Sequence, residues 1–362
     1  MKLQSLIDAM QQIAPLHLAE PWDNVGLLAG DPQQEVDKII LAIDYSPAVA
    51  AEARRENCNA VIAYHPAIFH PLKRLTAGSA IFAAIRDGLA IYSPHTALDA
   101  AAGGTNDTLA DAVGITPERS SLKFPEAKPA HHKLVVFVPE SHAEKMSRAL
   151  FDAGAGCIGN YSSCSFRSTG TGTFFGQPGS HPAVGQAGRL EQVPEVRLET
   201  VLPLACLPAA LAALRAAHPY EEPAFDLIPV AAAAAGLGRI GRLAQPDQRE
   251  KIFARLKREL GLTHLLIAGP TTGIARRAAV CAGSCGELLD GAIDQQADIY
   301  VTGELRHHDA LKAAHAGLTV VCTLHSNSER AVLARVKLRL EKLLPGLPML
   351  LSREDRDPFA VV

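Results

Sequence analysis

The chain has 362 residues; at about 150 residues per domain this suggests two domains and excludes a single small module. Hydrophobic residues make up 48% and charged residues 20%, a globular composition that excludes a disordered or collagen-like chain. Thirty-five basic against 38 acidic side chains give a net charge of −3; with no long Lys/Arg run, direct nucleic-acid binding is not expected. No apolar stretch approaches the ~20 residues of a membrane span. The start, Met1 to Asp8, reads as an amphipathic helix, not a signal peptide, so a cytoplasmic protein is expected. Seven scattered cysteines suit reduced thiols, and Cys281-x3-Cys285, with no second pair nearby, reads as small buried side chains.

Residues 3–13 have helical periodicity. Residues 38–45 read as a buried strand with a polar tip, followed by a helical run to Glu56. Residues 59–64 form a second strand that delivers His65-Pro66, since proline cannot continue a central ladder. A helix over 81–87 and a strand over 89–92 follow, opening into Ser93 to Asp99. This alternation points to an α/β layer, with polar residues placed just past strand ends, where such sheets build their sites. Phe124-Pro125-Glu126-Ala127-Lys128-Pro129 marks a boundary. Beyond it, strand 133–138, helix 141–153, a hairpin-like stretch 156–176, strand 196–202, helix 207–217 and strand 224–230 give the order β-α-β-β-α-β, a ferredoxin-like pattern. The α/β texture then resumes to the C-terminus, with no short internal repeat. The expected architecture is a discontinuous α/β domain, 1–128 and 237–362, with an α+β domain, 129–236, inserted in it.

His65, Asp99, His325 and Glu329 form the strongest candidate metal set, since each lies near a predicted strand end and imidazole with carboxylate suits Zn, Fe or Mn. His325 and Glu329 are four residues apart and would share one face of a helix, although spacing alone more often means a solvated pair. Two carboxylates can bridge two ions, so the set could support a metal pair. Thr302-Gly303-Glu304 to Asp309 offers further acid/base groups at a strand end, with capping as the blander meaning. Trp22-Asp23-Asn24 reads equally as a turn, and His218-Pro219-Tyr220-Glu221-Glu222 as a solvated loop of the inserted domain. Neither a G-x-x-x-x-G-K-[ST] phosphate loop nor a G-x-S-x-G elbow is present.

In order, Pro21–Leu27, Tyr64–Phe69, Ser93–Asp99 with Gly103–Asn106, Thr302–Glu304 with His308, and Leu324–Arg330 resemble the toroidal dinuclear-metal family of Nif-three-like proteins, or GTP cyclohydrolase 1 type 2 homologues. The middle segment is similar to the PII/CutA-like insert of its longer members, through Gly156–Tyr161, Gly170–Phe174 and His218–Pro223. The resemblance implies two divalent metal ions (Zn, Fe or Mn) held by His65, Asp99, His325 and Glu329, with Asp99 and Glu329 as bridges. Many members carry two consecutive histidines where this chain has Tyr64-His65, which leaves Tyr64 in a ligand position. The resemblance also implies a homo-hexamer, a trimer of dimers, with metal sites facing a central cavity. The expected activity is metal-dependent hydrolysis of a nucleotide-like or other small phosphorylated substrate, with His95, Glu304 and His308 as candidates for proton transfer. The rival expectation is a non-enzymatic metal-binding assembly whose insert senses a small ligand.

Overall fold

Ile39, Ile40, Leu41, Ala42 and Ile43 are all fully buried, as an unbroken apolar run must be in a parallel strand covered on both faces. The computed structural model describes residues 1–123, 131–159, 161–230 and 236–360. The expected boundary at 124–129 and the run 231–235 lie outside the described residues. Two compact units result, Met1–Ala127 with Ala234–Val362, and Lys128–Ala233. Among the described residues no helix is long and apolar enough to cross a membrane.

The strands, in chain order, are β1 (Gly26–Ala29), β2 (Ile39–Ala42), β3 (Ala60–Ala63), β4 (Ala90–Ser93), β5 (His131–Pro139), β6 (Ser165–Phe175), β7 (Leu190–Pro203), β8 (Phe225–Val230), β9 (Arg239–Gln248), β10 (Leu266–Ala268), β11 (Ile274–Ser284), β12 (Ile299–Glu304), β13 (Thr319–Cys322) and β14 (Met349–Leu351). The first unit is α/β, with two five-stranded sheets ordered β1-β4-β3-β2-β14 and β10-β13-β12-β11-β9. In the first, β14, β2, β3 and β4 run parallel and β1 closes one edge antiparallel. In the second, β11, β12 and β13 are parallel between antiparallel β9 and β10. Both sheets thus place a short antiparallel strand beside three parallel strands in descending order. No repeat is visible in the sequence because generic aliphatic side chains carry this plan. Alternate residues of β2 serve opposite faces: Ile39 and Leu41 join one buried cluster with Ile62 and Tyr64, whereas Ile40 joins another with Val61 and Ile91.

The short strands β1, β10 and β14 escape sequence reading, and β9 occupies a stretch that reads as turns. The helices His95–Ala100 and Thr105–Val113 also replace what reads as an open polar segment. Arg239 explains much of the junction between the two segments of this unit. It is 3% exposed and donates to Asp107 and to the carbonyls of Ala100, Ala101, Gly236 and Gly238, so residues far apart in sequence share one satisfied buried cation.

The second unit is a four-stranded antiparallel sheet ordered β6-β7-β5-β8. The helices Ala143–Asp152 and Leu207–Ala217 complete the β-α-β-β-α-β order. Leu134, Val136, Val138, Val196 and Leu198 pack on one sheet face with Met146, Leu150, Ala210 and Leu214 from the helices. The stretch 156–176 is not itself a hairpin: β6 pairs with β7, from Ser165 opposite Thr200 to Phe175 opposite Leu190.

Candidate metal centre

Parallel strands of both sheets in the first unit end at one place. Asp44 follows β2, His65 follows β3, His95 follows β4, Gly283 lies at the end of β11, Glu304 ends β12, and His325 follows β13. Such carboxyl ends are where α/β sheets gather chemistry. His325 to Glu329 forms a one-turn helix, so the four-residue spacing does put both groups on one side. One potential ligand atom from each of His65, His325 and Glu329 lies within 4.8 Å of the others.

Each histidine here is oriented by a carboxylate. His65 Nδ1 lies 2.9 Å from Asp44 Oδ1, His325 Nδ1 2.8 Å from Glu304 Oε1, and His95 Nδ1 2.8 Å from Asp23 Oδ1. Because a carboxylate only accepts, Nδ1 carries the proton, and in the neutral ring Nε2 is left as the lone-pair donor. His65 Nε2 is 3.2 Å from Glu329 Oε2 and His325 Nε2 is 3.4 Å from Glu329 Oε1. Glu329 is only 3% exposed. Among the described residues, His65 Nε2 and Glu329 Oε2 are buried with no hydrogen-bond partner, a cost that a coordinated cation removes.

The backbone is shaped for this cluster. Gly283, at φ +76°, has no room for a side chain: a Cβ would lie 2.9 Å from Glu329 Oε1 and 3.5 Å from His325 Nε2. Its N–H donates to Ser328, while Thr302 donates to its carbonyl. Leu324, directly before His325, has φ 72°, and His95 also has positive φ. These are costly backbone states for residues with a Cβ, and such strain concentrates at functional sites. Asn106 is fully buried; its amide donates to the Asp99 carbonyl and accepts from Ala282 N–H, tying the Asp99 helix to the Gly283 turn.

Asp99 and Tyr64 stand apart from the trio. The Tyr64 hydroxyl donates to Asp99, and the Thr105 hydroxyl lies 3.3 Å from the phenol oxygen. Burial, reinforced by Glu329, pushes the Asp99 carboxyl up to about 6. Burial and then the Asp99 charge raise the Tyr64 phenol well above its ordinary value. Burial opposes protonation of His65, but its bond to Asp44 and the nearby Glu329 carboxylate prevail and carry it to about 10; without a metal, a proton supplies the positive charge between these carboxylates. The bond from His65 holds Asp44 below its ordinary value.

Glu304 reaches the centre through His325. His308 does not join the trio: it is exposed at the start of the helix His307–His315, its ring 5.3 Å from that of His307. Asp23 and Asp44, unassigned from sequence, prove to orient histidines; their signal was position, beside the lone tryptophan and at the polar tip of β2. Trp22 and Phe69 are exposed, with ring centroids 6.1 Å apart, and Trp22 is also 6.1 Å from His95.

The family model described as Duf34/NIF3 (NGG1p interacting factor 3) matches residues 1–358. The chain belongs to that family. A relative named GTP cyclohydrolase 1 type 2 homolog from Mycobacterium tuberculosis is 38% identical, over 85% of this chain and 83% of its own length. One of the same name from Halalkalibacterium halodurans is 35% identical, over 99% of this chain and 98% of its own. The solved Bacillus cereus protein related to NIF3 is similar across 100% of this chain and 99% of its own, with TM-score 0.75 and 34% identity. A solved Staphylococcus aureus protein has TM-score 0.83 at 26% identity over the same shares.

Proposed function

We propose that the chain is a metal-dependent hydrolase acting on a planar, nucleotide-like or other small phosphorylated substrate. The observation that carries this reading is the trio of His65, His325 and Glu329, with its two unpartnered buried atoms and its carboxylate-backed imidazoles. These nitrogen and oxygen donors fit a divalent ion of the Zn, Fe or Mn type. An ion bound there supplies Lewis acidity and makes water acidic enough to ionise near neutral pH. Asp44 and Glu304 hold the imidazoles in the ligating tautomer. His95, backed by Asp23, is assigned proton transfer through its Nε2. Trp22 and Phe69 offer exposed ring faces on which a planar base can stack.

The test is a substrate screen on protein loaded with zinc, manganese or iron(II), covering nucleoside triphosphates, phosphoesters and amides. The wild type is expected to turn over one class, and a His325→Ala, Glu329→Ala double variant to lose both the metal and that turnover. Trp22→Ala is expected to raise KM severalfold with little change in kcat. A wild type that holds metal yet turns over nothing faster than the double variant sinks the hydrolase reading.

A second reading, a non-enzymatic metal-binding assembly with a ligand-sensing unit, is favoured by a cavity of about 590 Å³ in the second unit. Phe137, Glu195, Arg197 and Tyr220 line it, and Tyr220 donates to Glu195. That volume lies in the range of small-molecule sites. Under either reading the assembly is a homo-hexamer of cytoplasmic chains, and light scattering should return six times the 38.4 kDa chain mass.

A further inference from the structure

We infer that the centre takes one divalent ion per chain, on His65, His325 and Glu329, and that the Tyr64 phenol closes the neighbouring position at Asp99 to a second. This rests on the metal-centre reading above and departs from the metal pair that the family resemblance implies.

The donor atoms divide unevenly between the two positions. At this centre, the buried side-chain atoms left without a partner are His65 Nε2 and Glu329 Oε2, and both belong to the trio. Glu329 directs Oε2 to within 3.2 Å of His65 and Oε1 to within 3.4 Å of His325. Both of its oxygens therefore face the imidazoles of the trio. Room for the first ion is kept by Gly283, where any Cβ would press on Glu329.

At Asp99 the chemistry is reversed. An imidazole in place of Tyr64 would offer a lone pair, whereas the phenol presents a proton and spends it on the carboxylate. That phenol is fully buried, with the Thr105 hydroxyl beside it. Its backbone is pinned as well: Tyr64 N–H donates to Ala42, and the Tyr64 carbonyl accepts from Ser93 and His95. Asn106 fixes the backbone of Asp99 from the other side. A cation at Asp99 would have to break a buried charge-assisted bond and leave the hydroxyl without an acceptor, with no imidazole offered in return.

The experiment loads purified protein with zinc, removes the excess by desalting, and counts metal per chain by mass spectrometry. A visible-absorbance titration with cobalt(II) reads the saturation point independently. One ion per chain is expected in the wild type and in Asp99→Asn, two in Tyr64→His, and none retained in Glu329→Gln. Two ions in the wild type, loss of the ion in Asp99→Asn, or a single ion in a folded Tyr64→His would each overturn the inference. If Tyr64→His does not fold, the wild-type and Asp99→Asn counts decide. No ion in the wild type would overturn the metal-centre reading itself, so the two failures are distinct.

Discussion

Leu324 and Gly283 show how single residues shape the candidate centre. A leucine at φ 72° bears a cost that glycine would avoid, and it aims His325 at Glu329. Gly283 meets the opposite constraint, since its place beneath Glu329 excludes a side chain. Gly283→Ala should therefore lower zinc affinity at least tenfold, measured by competition with a chromophoric chelator. The strained left-handed backbone adds about 1–2 kcal/mol of destabilisation, seen as a lower denaturant midpoint. Unchanged affinity in a folded variant would show that Glu329 does not need that space. His65, His325 and Glu329, which the fold brings together, were legible because each lies just beyond a recognisable strand, whereas Asp99, grouped with them by sequence, faces the Tyr64 hydroxyl instead. Their supports were not: the carboxylates that orient His65, His95 and His325 lie 21, 72 and 21 residues away, and no local spacing connects such pairs. Tyr64 stood out only as a departure from a pattern, and its bond to Asp99 needed the fold to become visible.

Between elements, Arg239 at the start of β9 and Asp107 in the helix Thr105–Val113 form a buried ion pair away from the metal centre. Burial alone would raise the Asp107 carboxyl, but the bonds and charge of Arg239 prevail and hold it below its ordinary value. A carboxyl depressed in the folded state contributes stability above its unfolded pKa and loses it as pH falls through the folded one. Denaturant midpoints should therefore drop on acidification below about pH 4, where unfolded Asp takes up a proton, and drop less steeply in Asp107→Asn. Arg239→Ala should cost about 3 kcal/mol, the low end for a broken buried pair, because Arg119 still reaches Asp107 at 2.8 Å. A loss under 1 kcal/mol would show that water replaces the guanidinium. Long apolar runs such as Ile39 to Ile43 announced central strands, whereas β1, β10 and β14, three or four residues each, are too short for periodicity. The hairpin partner of β6 was misplaced because alternation identifies a strand without identifying its neighbour.

For the whole molecule, the two-unit division predicts which transition a ligand can move. His65, His325 and Glu329 belong to the first unit, and the second has its own buried cluster. Calorimetry should resolve two transitions, and zinc at a hundredfold its Kd should stabilise only the first unit, by about 2.7 kcal/mol. Equal shifts in both, or one merged transition, would show that the units unfold together. The place of β14 beside β2 has a further bearing on how the protein is made. On the ribosome, β2 emerges some 300 residues before the strand that covers its flank, and His65 waits almost as long for His325 and Glu329. The second unit, whose last strand ends at Val230, can fold well before either arrives. A chain that stops early would carry half a binding site and a bare parallel edge open to aggregation. Metal capture is thereby deferred until His325 and Glu329 have emerged, long after His65.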